Sequence, residues 1–516
     1  MRRPHRTRNL GHMNSDAPST APSPSETSLS TARNRDPDLE VDVIVIGAGP
    51  VGENVAQYAI ESTGLSAAIV EGELLGGECS YWACIPSKAL LRPIDVQATA
   101  ANLPGVSTPR VEVDELLARR DTWVSEYDDS GQAQWAEGAG IHVVRGHGRL
   151  GGERTVIVAR ADGADREQVL RARLAVVIAT GSEAVIPDVF AQLAPWTSRD
   201  ATGVREVPSS LLIIGGGVVA SEAATWMRAL GSEVTMLVRG ESLLRGVEPE
   251  AARFVQKDLE NAGVRVVTGA EVREAKRPDA KATGTGRVHG GSVQVSSSAG
   301  DFTAAEVLVA TGRRPRLDDV GLEPLGLSAD DVSGGALPDW LHAVGDASGE
   351  APLTHWGKYR ARVIGEEIRD AALADTEPTP PPAPAADGRA VPQVVFTDPQ
   401  VASVGLTEAQ AQDAGFETEV AQVPYNGAAG SSLLRDDADG IAKIVVDART
   451  HHLLGATFAG PDAAEVVHAA TVAIVGEIPT EVLRHAVPSF PTVAELWLRL
   501  LEELPREFRR AGEVRG

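Results

Sequence analysis

The sequence predicts an α/β protein with two doubly wound, nucleotide-type units followed by a smaller α+β unit. Three observations carry this. The run VDVIVIGAGP (41–50) is near-continuously apolar and ends in glycines, as a parallel strand buried on both faces does. The same pattern of strand, glycine turn, helix and strand recurs at SSLLIIGGGVVASEAATWMRALG followed by SEVTMLVR (209–239). After a proline-rich break, TEPTPPPAPAADGRAVP (376–392), short strand patterns alternate with helical ones.

Size and composition agree with that class. The chain has 516 residues, enough for about three domains of ~100–200 residues each. Hydrophobic residues make up 43% and charged residues 23%, ordinary for a globular chain, which excludes a mostly disordered, collagen-like or coiled-coil protein. No run approaches the roughly 20 apolar residues of a membrane-spanning helix. The formal net charge is −24 and the amino-terminal tail is near neutral, so the folded body is acidic. Such a body repels phosphate backbones and anionic lipid surfaces, and neither a nucleic-acid nor a membrane partner is expected. Two cysteines, Cys79 and Cys84, make no disulfide framework, and a cytoplasmic protein is expected.

Along the chain, residues 1–40 read as a disordered tail, because a Ser-, Pro- and Thr-rich segment cannot bury enough apolar surface to offset chain entropy. Its basic start lacks a following apolar segment and is not a secretory signal; Met1 and Met13 are both candidate starts. Order is expected from Val41. GENVAQYAIEST has helical spacing, Gly64 closes that helix, and LSAAIVE is a second buried strand, giving a βαβ unit. Two ATG sequences follow hydrophobic strands, at 175–182 and 307–315. Beyond the proline-rich segment, VPQVVFTDPQVASVG, IAKIVVDART and LLGATFAG are expected antiparallel strands, in a unit ending near Leu500. His451–His452, in RTHHLLG, reads as a solvated hairpin turn rather than a metal-ligand pair.

The first glycine cluster, Gly47-Ala-Gly49-Pro-Val-Gly52, has the context a dinucleotide site needs. Gly47 permits the tight turn, Gly49 lets a pyrophosphate approach the backbone, and Gly52 lets helix and strand pack closely. Glu71 ends the second strand, where a carboxylate can accept from ribose hydroxyls. The second cluster is Gly215-Gly216-Gly217 with Ala220 in the third glycine position. Its second strand ends at Arg239 where an acid would select an unphosphorylated ribose, and Arg245 follows. A guanidinium there suits a 2′-phosphate, which favours NADPH over NADH; the alternative is two solvated surface arginines.

Cys79 and Cys84 lie in Cys79-Ser-Tyr-Trp-Ala-Cys84-Ile-Pro-Ser-Lys88. In an ideal helix, residues five apart have Cα atoms roughly 8–9 Å apart, beyond the ~7 Å limit for a disulfide. The pair can close only where the backbone between them leaves helical geometry. Two buried structural thiols are the alternative. No further Cys or His cluster accompanies them, and no metal is expected.

Taken together, these motifs resemble the flavoprotein pyridine nucleotide–disulfide oxidoreductases, the family of dihydrolipoamide dehydrogenase, glutathione and mycothione reductases, mercuric reductase and soluble transhydrogenase. The resemblance covers about residues 41–500. It implies two Rossmann-like three-layer domains plus a carboxy-terminal α+β dimerisation domain, hence a homodimer. It implies an FAD domain of residues 41–190 and 330–372, an NAD(P) domain of 191–329, a linker of 373–392, an interface domain of 393–500 and a tail of 501–516. FAD and NADPH (or NADH) are the implied cofactors, with a small-molecule electron acceptor. Gly148 resembles the adenosine-side loop, Gly181 and Gly312 belong to the two ATG segments, and Asp346 to the Gly-Asp segment that holds the FAD ribitol. By the same resemblance electrons pass from the nicotinamide through FAD to a Cys79–Cys84 disulfide. Cys84 is then the charge-transfer thiolate, Cys79 the interchange thiol, and Lys88 and Glu222 the ion pair beside the flavin.

One departure bears on function. The family's His-Pro-Thr-x-x-Glu ending is here Phe490-Pro491-Thr492-Val493-Ala494-Glu495. The base that serves dithiol exchange is replaced by an aromatic ring, and the nearest histidine, His485, reads as structural. Three activities remain open on the sequence: a dihydrolipoamide dehydrogenase-like disulfide oxidoreductase, a reductase of quinones or other non-thiol acceptors or a transhydrogenase, and a redox-sensing flavoprotein with little turnover.

Overall fold

A computed structural model describes residues 38–160, 167–374 and 388–510. The expectations for the amino-terminal tail and its start site, for most of the proline-rich linker and for residues 511–516 lie outside these.

The strand Asp38–Ile46 starts three residues before the expected onset of order and lies at the centre of the first sheet. It pairs in parallel with Ala67–Glu71 on one side and with Gln168–Ile178 on the other. Leu341–Ala343 adds a further parallel strand beside Gln168–Ile178, so the chain returns to this sheet after completing the second unit. Val43, Ile44 and Val45 are wholly buried, as a run apolar on both faces requires. The helices Pro50–Ile60 and Thr354–Leu373 cover one face. They approach so closely that a Cβ on Gly365 would lie 3.0 Å from the Val55 carbonyl oxygen.

The second unit is a parallel sheet in the order Glu306–Val309, Ser210–Ile214, Glu233–Leu237, Arg265–Val267, with an added antiparallel sheet of Val272–Lys276, Val293–Ser297 and Gly300–Ala304. The helix Val218–Ala229 buries Ala220, Ala223, Ala224 and Met227 in its core.

The third unit is a five-stranded antiparallel sheet in the order Gln393–Val395, Gln400–Gly405, Leu453–Gly460, Ile441–Asp447, Thr418–Pro424. The edge strand Thr418–Pro424 was not among the expected strands. Only one of its faces is buried, so it carries few apolar residues, and Pro424 is tolerated at its end. His451 and His452 follow the turn between two strands but are half-buried rather than solvated: His451, at φ 61°, has its ring centroid 4.4 Å from that of Phe508 and its Nδ1 3.3 Å from Glu481, and His452 pairs with Pro479. The expected tail from residue 501 is corrected. The helix Glu495–Glu503 runs past Leu500, and Leu496, Leu500, Leu501 and Leu504 form one apolar stripe, with Phe508 buried beyond it. No helix among the described residues is long and apolar enough to cross a membrane.

Candidate active site

The first glycine turn is dictated by sterics. Gly47 has φ 104°, and a Cβ there would lie 2.3 Å from the Ala179 carbonyl oxygen. On Gly52 it would lie 2.0 Å from the Gly47 carbonyl oxygen, so the helix can begin this close to the strand only with glycine. A Cβ on Gly49 would meet nothing nearer than the Cα of Gly77 at 3.9 Å, so the backbone there is open. Glu71, at the end of its strand, accepts from the backbone N–H of Ala48 at 2.8 Å and of Glu73 at 2.7 Å. Burial raises its pKa, and these two donors oppose the rise.

A cleft of about 1150 Å³ opens above this turn. Gly47, Gly49, Glu71, Gly148, Gly181 and Asp346 line it, together with Cys79, Cys84, Lys88 and Glu222. The size, the open backbone at Gly49 and the carboxylates Glu71 and Asp346 suit a dinucleotide, and these groups could hold FAD. Asp346 accepts from the Ser182 hydroxyl, which fixes its orientation. Beneath the turn Glu53 is half-buried, with one buried carboxylate oxygen lacking a hydrogen-bond partner among the described residues. Burial pushes its pKa up to about 7 against the pull of Lys358.

The backbone break needed to bring the cysteines together is present. The short helix Gly77–Tyr81 carries Cys79 and ends at Trp82; Ala83 takes φ −136°, ψ −92°, and the helix Cys84–Ala101 starts directly after it. The two cysteines are not bridged in this structure, and each thiol shifts the pKa of the other. Cys84 has its pKa lowered to about 6, first by the hydrogen bond from Cys79, then by the Thr354 hydroxyl and the Lys88 ammonium, against burial and Glu222. Its Sγ is 3.4 Å from Thr354 Oγ1. Cys84 opens its own helix and faces the first residue of Thr354–Leu373, and two helix N-termini favour negative charge there. Cys79, donating to Cys84 and buried, is raised well above the ordinary thiol range.

Lys88 Nζ is 2.8 Å from Glu222 Oε2 and 3.0 Å from Oε1. Glu222, on the helix Val218–Ala229, is 4% exposed and also accepts the backbone N–H of Phe396 at 3.0 Å. Lys88 Nζ sits 4.6 Å from the Phe396 ring centroid. One carboxylate thus ties all three units together. Sequence reasoning missed Thr354, Ser182, Phe396 and Trp82. Trp82 lies within the cysteine motif, Ser182 directly follows the first ATG and Phe396 lies in an expected strand, but none of these motifs assigned them a role.

The second nucleotide motif lies apart. Gly215 has φ 130°, and a Cβ there would lie 2.2 Å from the Ala310 carbonyl oxygen; Gly217 is open, Ala220 is buried, and Gly312 has φ 144°. None of these borders the cleft, although Glu222, on the same helix, does. Arg239 and Arg245 are exposed and take part in no ion pair among the described residues. They lie beside this turn, since Leu244 N–H donates to the Gly216 carbonyl at 2.8 Å and the Arg245 guanidinium covers Gly240.

Phe490 is 78% exposed and does not line the cleft of its own chain; His485 is also exposed. Glu495 is buried, and its Oε2 accepts the Gly430 N–H at 3.1 Å. Among the described residues no three His, Cys, Asp or Glu side chains converge as metal ligands.

Comparison with known proteins fits this geometry. The pyridine nucleotide–disulphide oxidoreductase model matches residues 41–352, and the dimerisation domain of that family matches 391–500. The chain belongs to the pyridine nucleotide–disulphide oxidoreductases. It is therefore an oxidoreductase of an FAD-dependent family that uses a pyridine nucleotide, and it carries that family's dimerisation domain. It is 31% identical over 472 residues to a dihydrolipoyl dehydrogenase of Haloferax volcanii, covering 89% of this chain and 95% of that one. It is 29% identical over 461 residues to a mercuric reductase of Staphylococcus aureus, covering 88% and 80%. In fold it is similar to LpdA from Mycobacterium tuberculosis, with a TM-score of 0.73 at 22% identity over 90% of this chain and 99% of that one. The HOCl-induced flavoprotein disulfide reductase RclA from Escherichia coli gives a TM-score of 0.72 at 21% identity, with the same coverage.

Proposed function

We propose that this chain is an NADPH-preferring reductase that works as a homodimer, takes electrons from NADPH onto FAD and the Cys79–Cys84 pair, and passes them from the flavin to small non-thiol acceptors. The observation that carries the reading is the Cys79–Cys84 pair in the cleft, with the Lys88–Glu222 ion pair beside it at 2.8 Å. The proposed FAD domain is residues 41–190 and 330–372, the NAD(P) domain 191–329, and the interface domain runs from 393 through the buried Phe508.

Bound FAD supplies the two-electron chemistry that links nicotinamide to thiols. The chain's own groups do the rest. Glu71 and Asp346 would hold the ribose and ribitol hydroxyls. Lys88, fixed by Glu222, projects a positive charge that favours electron density accumulating in the cleft. Cys79 keeps its proton and donates to Cys84, so Cys84 is the sulfur that carries negative charge. The thiolate absorbance of the reduced enzyme should therefore titrate below the ordinary thiol range, present above its midpoint and lost as pH falls through it. Thr354→Val should move the midpoint upward. A midpoint in the ordinary thiol range, ~8.5, would remove Cys84 from this role.

Arg239 and Arg245 support NADPH, since two guanidiniums beside the second glycine turn with no ion pair among the described residues suit a 2′-phosphate. Charge-assisted hydrogen bonds contribute roughly 1.5–3 kcal/mol each. Arg239→Ala with Arg245→Ala should weaken NADPH use more than tenfold in kcat/KM and leave NADH use nearly unchanged. A wild type that prefers NADH contradicts this reading.

Phe490 favours non-thiol acceptors. A steady-state screen with NADPH and NADH against lipoamide, glutathione disulfide, quinones and dyes tests the reading. Quinone or dye turnover far above disulfide turnover is expected, whereas lipoamide as the best acceptor would return the chain to dihydrolipoamide dehydrogenase-like work.

A further inference from the structure

Behind the cysteine loop lies a second concavity of about 380 Å³ to which nothing above assigns a role. Its aromatic wall is Trp82 stacked on Tyr127, with ring centroids 4.4 Å apart and planes at 27°. Arg205 and Arg287 flank it. Both are exposed, and neither takes part in an ion pair among the described residues, although the chain carries a net charge of −24. The Arg205 guanidinium carbon lies 5.8 Å from the Tyr127 ring centroid. Glu126 is the one carboxylate at the rim among the described residues.

The walls are held in place. The Trp82 carbonyl accepts from the Thr202 hydroxyl at 2.8 Å. Tyr127 ends a run of three non-glycine residues in the left-handed region, with Ser125 at φ 50°, Glu126 at 53° and Tyr127 at 63°; such strain persists only where its surroundings enforce it. The loop bearing Arg287 is pinned at Gly286, whose N–H donates to Asp200 at 3.1 Å and whose carbonyl accepts from the N–H groups of Arg205 and Glu206 at 2.9 and 3.0 Å. A Cβ on Gly286 would lie 2.1 Å from the Gly203 carbonyl oxygen.

An aromatic pair beside two guanidiniums that form no ion pair among the described residues is a recognition surface for a flat ring carrying a negative charge. We infer that this concavity is a binding site for a small planar aromatic carboxylate or sulfonate, its ring against the Trp82–Tyr127 pair and its anion between Arg205 and Arg287. The site bears on the chemistry through Trp82, which lies between Cys79 and Cys84 in sequence and borders both cavities. A ligand that fixes Trp82 fixes the non-helical turn at Trp82–Ala83 on which the approach of the two sulfurs depends. That consequence rests on the proposed dithiol role; the binding itself does not.

The test is calorimetric titration of FAD-loaded protein, saturated with NADP+, with 2-naphthoate and with neutral 2-naphthamide. One naphthoate site per chain is expected, at least tenfold weaker for the amide and for the Arg205→Ala, Arg287→Ala double variant, while the FAD content and melting temperature of that variant are unchanged. Equal binding by amide and acid, equal binding by the double variant, or no binding at millimolar ligand overturns the site. Saturating naphthoate should also change the alkylation rate of the NADPH-reduced thiols at least threefold in the wild type and not in the double variant. An unchanged wild-type rate with binding intact overturns the coupling alone.

Discussion

Replacing Cys84 by Ser should lower NADPH-dependent turnover of any disulfide substrate by on the order of 10³-fold or more, because Cys79 alone cannot form the disulfide that takes up two electrons and no third thiol can replace Cys84. The chain holds two cysteines in all. FAD content should stay as in the wild type, since Cys84 borders the cleft without holding the glycine turn. Dye reduction should stay within a few-fold, since electrons that leave from the flavin bypass the thiols. Side-by-side rates with glutathione disulfide and a dye check this. Equal loss in both would mean that Cys84 builds the cleft rather than working in it.

The second large effect concerns Phe490. General acid–base help is worth roughly 10²–10⁴ in rate, and an aromatic ring supplies none. Wild-type turnover with lipoamide should therefore fall at least a hundredfold below its turnover with quinones. Phe490→His should raise lipoamide turnover selectively, but by about tenfold rather than the full range. The structure gives the reason. The carboxylate that would orient the new ring, Glu495, is 4% exposed and already accepts the Gly430 N–H at 3.1 Å. A new imidazole would be present but poorly held. A ratio of lipoamide to quinone turnover that does not move in Phe490→His would show that the substitution at 490 does not limit thiol chemistry.

Much of the fold was legible because its signals are local. Gly47 and Gly215 mark turns at which a Cβ would strike a carbonyl, and the apolar runs before them can lie only between other strands. The cysteine loop was legible as a geometric conflict, which Ala83 resolves by leaving helical φ and ψ. Long-range consequences were not legible. Nothing in the sequence near Glu222 says that it will accept the N–H of Phe396, 174 positions away, or that the Thr354 hydroxyl will reach Cys84. The strand Thr418–Pro424 was hidden because an edge strand with one buried face has little apolar sequence to display. The helix past Leu500 was readable in the spacing of Leu496, Leu500 and Leu504, but the charged residues around it read as a tail.

The central claim is that NADPH reduces a disulfide formed by Cys79 and Cys84. With two cysteines in the chain, a thiol count in denaturant is unambiguous. The air-oxidised, FAD-loaded protein should show no titratable thiol, and the same protein after anaerobic treatment with NADPH should show two per chain. Two thiols before reduction, or none after it, would contradict the account.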